Sequence, residues 1–96
     1  MKGRDKMTVS TVPTALHQAI TDWGNSFKGV TRPQAAGDVA SSVQDLCIDT
    51  HLTTIELPAT LYDLYVEAKR RAQVERLGTF SATELIDVAN RSLREL

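Results

Sequence analysis

Ser81-Ala82-Thr83-Glu84 places a hydroxyl three residues before a carboxylate. That spacing is a capping box, which opens a helix, and the free N–H groups and positive dipole end of such an opening attract anions. Lys69, Arg70, Arg71 and Arg76 add cationic side chains just upstream. Such a run could contact phosphates or solvate a helix face. Thr54 offers a hydroxyl that donates or accepts and a methyl that can touch a thymine methyl, and Glu56 could accept from a cytosine amino group. Cys47 and His51 stand four apart, the spacing of two metal ligands on one helix face. A closed zinc site takes about four ligands, and His17 is the only other histidine, so no metal is expected. Cys47 reads instead as a small buried hydrophobe. The chain shows no glycine-rich phosphate loop, no nucleophile–base arrangement and no paired carboxylates in a catalytic setting. It is expected not to be an enzyme and to need no cofactor.

The elements that would position these residues follow from spacing. His51-Leu52-Thr53-Thr54-Ile55-Glu56-Leu57 is rich in β-branched residues, alternates in polarity near its end and is closed by Pro58, which predicts a strand. Ile55 and Leu57 would point to a core, leaving Leu52, Thr54 and Glu56 on the outer face. A solitary strand leaves its backbone groups unpaired, so an antiparallel two-stranded ribbon between two copies is expected, hence a homodimer. A helix follows from Pro58 to about Leu77, with Leu61, Leu64, Tyr65, Ala68, Ala72 and Leu77 inward, and Gly78 ends it. The last helix starts at Ala82 behind the Ser81 cap, with Leu85, Ile86, Ala89 and Leu93 inward.

Ahead of the strand, residues 1–10 read as a flexible basic arm carrying Lys2, Arg4 and Lys6, with Met7 as an alternative start. Leu16, Ile20, Trp23 and Phe27 mark one face of a helix opening near Thr11, and Gly29 is its expected stop. Ala36, Val39, Ala40, Val43, Leu46 and Cys47 mark another helix from about Pro33 to Asp49. Two helices of this length must pack on something. Residues 11–50 are therefore read as a two-helix extension.

Bulk properties narrow the class. Ninety-six residues make one small domain, or a domain with an appendage. A hydrophobic fraction of 42% and a charged fraction of 24% are those of an ordinary soluble protein. The net charge of -1 gives no general attraction to nucleic acid, so any such binding must come from local placement. One cysteine precludes an intrachain disulfide and suits a reducing cytoplasm. No apolar run is long enough for a membrane span.

Strand, long helix, capped turn and helix together resemble the ribbon-helix-helix DNA-binding family, in its methionine-repressor-like branch. The matching residues are Leu57-Pro58, Gln73-Val74, Leu77, Ser81-Ala82-Thr83-Glu84-Leu85-Ile86 and Ala89, within residues 51–96. The resemblance implies a mainly α fold, a ribbon-helix-helix dimer with an N-terminal helical extension. It implies a transcriptional regulator, a repressor, whose ribbon enters the DNA major groove. Leu52, Thr54 and Glu56 would face the bases, and Ser81, Ala82 and Thr83 would clamp a phosphate, with Lys69, Arg70, Arg71 and Arg76 adding phosphate contacts. Leu52 stands where those repressors carry a lysine, and Glu56 would bring a carboxylate into the groove. An alternative reading follows from that neutral ribbon: a dimeric protein-interaction module, antitoxin-like or a phage or plasmid accessory protein, holding a partner through residues 11–49 without reading DNA.

Overall fold

Glu95, in the last turn of the last helix, accepts hydrogen bonds from the backbone N–H and the hydroxyl of Thr60, thirty-five residues earlier. That contact reports a chain folded back on itself. The computed structural model describes residues 2–74 and 78–96, with side chains from Thr14 onward. Four helices dominate: α1 (Lys2–Asn25), α2 (Ala36–Thr50), α3 (Ala59–Gln73) and α4 (Ala82–Glu95). Each helix packs on its sequence neighbour, and α1 packs on α4, so the four close into a ring. Leu16, Ile20 and Trp23 of α1 meet Val39, Val43 and Leu46 of α2 in one core, completed by Leu61, Leu64 and Ala68 of α3 and Leu85, Val88 and Ala89 of α4. These are the inner-face residues that helical spacing predicts, except that Ala72 is exposed and Val88 and Ser92 are also buried. α1 begins at Lys2, ahead of the expected start near Thr11.

The expected ribbon is absent, and with it the ribbon-helix-helix dimer. Residues 51–57 form a helix end and a short 3-10 turn (Thr54–Glu56), not a strand. His51 adopts left-handed backbone angles, φ 57 and ψ 39. Its N–H donates to the Ile48 carbonyl and that of Leu52 to the Cys47 carbonyl, which together terminate α2 in a Schellman motif. Two residues on, the Glu56 carboxylate accepts from the Thr53 N–H at 2.7 Å and from its hydroxyl at 2.9 Å. These local bonds satisfy backbone groups that a strand would have left open, and they outweigh the β preference of Thr53, Thr54 and Ile55. Side-chain directions change accordingly. Ile55, expected inward, is 81% exposed. Leu52, expected outward, packs partly buried against the core.

The sheet that does form lies within one chain. β1 (Gln34–Ala35) pairs antiparallel with β2 (Thr79–Phe80), Gln34 opposite Phe80 and Ala35 opposite Thr79. It joins the α1–α2 linker to the α3–α4 linker at one end of the bundle. At the other end, Glu95 supplies the missing acceptor for the first turn of α3, whose N-cap is Pro58 with no side-chain bond of its own. α3 was expected to continue to Leu77, which lies outside the described residues.

Two substitutions test these joints. A Cβ at Gly24 would lie 2.6 Å from the Ala89 Cβ, so α1 and α4 are nearly in backbone contact there. Alanine gains about 1 kcal/mol of helix propensity, but overpacking costs roughly 1–3 kcal/mol. Gly24→Ala should therefore lower the urea midpoint; a rise would mean that the helices are not this close. His51→Gly should add about 0.5 kcal/mol: relief of roughly 1–2 kcal/mol of left-handed strain, less about 0.5–1 kcal/mol for glycine's unfolded freedom. A lower thermal midpoint for His51→Gly would contradict the observed helix end.

Candidate functional site

The residues expected to touch DNA are dispersed. Thr54 is half-buried in the turn after α2, and Glu56 is committed to Thr53. Those two hydrogen bonds from Thr53, backbone first, hold the Glu56 carboxyl below the usual glutamate range. The surface on which base reading by Leu52, Thr54 and Glu56 depended is not formed.

The capping box at α4 is present. The Ser81 hydroxyl accepts from the Glu84 N–H at 3.1 Å, and the Glu84 carboxylate accepts from the Ser81 N–H at 3.5 Å. Ala82 packs partly against the core and Thr83 is exposed. The helix's own acid thus already supplies negative charge where a phosphate would sit.

The cationic run is drawn into intramolecular contacts. Glu67 receives Arg70 at 2.5 Å and Arg71 at 3.0 Å. Those hydrogen bonds, Arg70's first, pull the Glu67 carboxyl down to about 2. Arg71 also donates to the Thr79 carbonyl at 2.8 Å and lies 4.1 Å from the centre of the Phe80 ring. It therefore ties α3 to β2, and its position in the last turn of α3 also suits the helix dipole. Lys69 lies 5.2 Å from the Tyr65 ring centre. Arg76 lies outside the described residues.

Cys47 is buried, and that burial, ahead of the nearby Glu56 charge, pushes its thiol pKa up. His51 is an exposed helix cap. Among the described residues no group of three or more His, Cys, Asp or Glu could hold a metal ion.

A surface that spacing rules did not single out is the groove between α1 and α2, about 580 Å³ in volume. On α1 it is lined by Ala15, Gln18, Ala19, Asp22 and Trp23, and on α2 by Ser42, Asp45, Leu46 and Asp49. Both sets recur at three and four residues, so each is one helix stripe. The small side chains at Ala15, Ala19 and Ser42 leave the space open. Trp23 and Leu46 are buried and give it an apolar floor, whereas Asp22, Asp45 and Asp49 are exposed along its rim. Gln18 donates to Asp22 at 3.0 Å, and the buried Trp23 indole N–H has no hydrogen-bond partner among the described residues. The signal was legible: Asp38, Asp45 and Asp49 are seven and four apart, one outward face of α2.

No protein-family model matches the chain, and no curated protein or solved structure does either. Among the described residues no helix is long and apolar enough to cross a membrane.

The Glu67 cluster predicts acid behaviour. Its folded pKa of about 2 lies below the ordinary 4.5, so the unfolded chain binds the extra proton. Its contribution to stability is complete above pH 4.5 and disappears as pH falls towards 2. Urea midpoints for Glu67→Gln should fall less steeply across that window than for the native chain. Parallel curves would show that the arginines do not hold Glu67 ionised.

Proposed function

We propose that this chain is a protein-interaction module, not an enzyme, and that it docks a partner in the α1–α2 groove. The observation that carries this reading is the groove itself, open between two helices, with exposed Ala15 and half-buried Ala19 on its wall and the edges of buried Trp23 and Leu46 at its base. Pockets that combine apolar surface with a few polar groups are the usual form of a binding site. The rest of the surface favours protein over nucleic acid as the partner. The net charge is -1, and Arg70 and Arg71 are both paired with Glu67. Phosphate binding draws on free cationic groups. The partner-holding segment expected from sequence, residues 11–49, includes every residue that lines this groove.

A photo-crosslinking residue in place of Ala15 tests the site in the cells that make the protein. It should trap one discrete protein, whereas the same group at exposed Thr83, on α4, should not. Equal trapping at both positions, or none at Ala15, would remove the groove from the reading. Retardation of mixed-sequence duplex by the chain at low salt would favour a nucleic-acid partner instead.

A further inference from the structure

Resting on the reading of the α1–α2 groove as a docking surface, we infer that its occupant is a cationic amphipathic helix of a partner protein. The charge of the rim decides this. Asp22, Asp45 and Asp49 stand along the opening, and none takes part in the ion pairs formed among the described residues, which join Arg70 and Arg71 to Glu67 and Arg91 to Asp87. An acidic partner would meet three like charges; a basic one meets three complementary ones. The floor sets the second requirement. Ala15 is exposed and Ala19 half-buried above the buried Trp23 and Leu46, so an occupant that covers them must bring apolar side chains of its own.

Length sets the third. From Ala15 to Trp23 the wall is nine residues of helix, eight rises of roughly 1.5 Å or about 12 Å. An occupying helix fits about two turns there, with aliphatic residues four apart on the floor and Lys or Arg flanking them towards the rim. This is the helix-in-groove mode of recognition.

Trp23 is the chain's one tryptophan, so its emission reports on the groove. The probe is a synthetic tryptophan-free helical peptide with leucines on one face and lysines on both flanks, against a twin carrying glutamate for every lysine. The full chain should bind the lysine peptide with a shift in Trp23 emission. Affinity should fall about tenfold in Asp45→Asn/Asp49→Asn and weaken further with added salt, as expected for exposed charge pairs. The glutamate peptide should leave the emission unchanged. Both aspartates are exposed, and circular dichroism checks that the variant keeps its helices. Equal binding of the two peptides, or full affinity in the double variant, overturns the cationic partner and leaves an uncharged mode of docking. Silence with both peptides also overturns it, while the crosslink at Ala15 reads separately whether the groove docks anything.

Discussion

The bundle closes where Gly24 of α1 meets Ala89 of α4. Each of the other helix pairings joins neighbours in sequence, and only this one brings the first helix to the last. A glycine facing an alanine lets the two backbones approach closely, and Ile20 and Leu85, both fully buried, then share one interior. Without that approach α1 would lose one of its two flanking helices, and a helix stripped of its packing is marginal in water. The α1–α2 groove also depends on it indirectly, because Trp23 is held by the same segment.

The ends of the helices are tied by polar side chains rather than by length of sheet. Ser81 and Glu84 open α4, Thr53 and Glu56 shape the turn before α3, and Glu95 caps α3 from across the bundle. The paired linkers β1 and β2 add only two residues each. A carboxylate at the C-terminal end of α4 is unfavourable to its own helix dipole. Its bonds to Thr60, side chain before backbone, lower the Glu95 pKa, so the charge is better accommodated at α3 than in water.

The helices were legible in the residues; their arrangement was not. The apolar spacing located all four helices, and the Ser81–Glu84 box fixed the start of α4. The failure at 51–57 has a specific cause. Thr53-x-x-Glu56 has the same spacing as Ser81-x-x-Glu84, and its capping chemistry overrides the β-branched content of the segment. His51 hid the preceding helix end, since left-handed caps are usually announced by glycine. The family resemblance rested on hydrophobic spacing and one cap, features that a ring of four helices satisfies equally well. Inward-face periodicity does not mark the groove, because its charged residues lie on outward stripes, Asp22 on α1 and Asp45 and Asp49 on α2.

Cys47 turns the interior into something chemistry can time. Its sulfur is sealed in the core, and burial keeps it in the unreactive thiol form. A thiol reagent in solution can reach it only during excursions in which α2 parts from its neighbours. The rate of modification is therefore a gauge of those openings: their frequency where reagent outpaces reclosing, and their population where it does not.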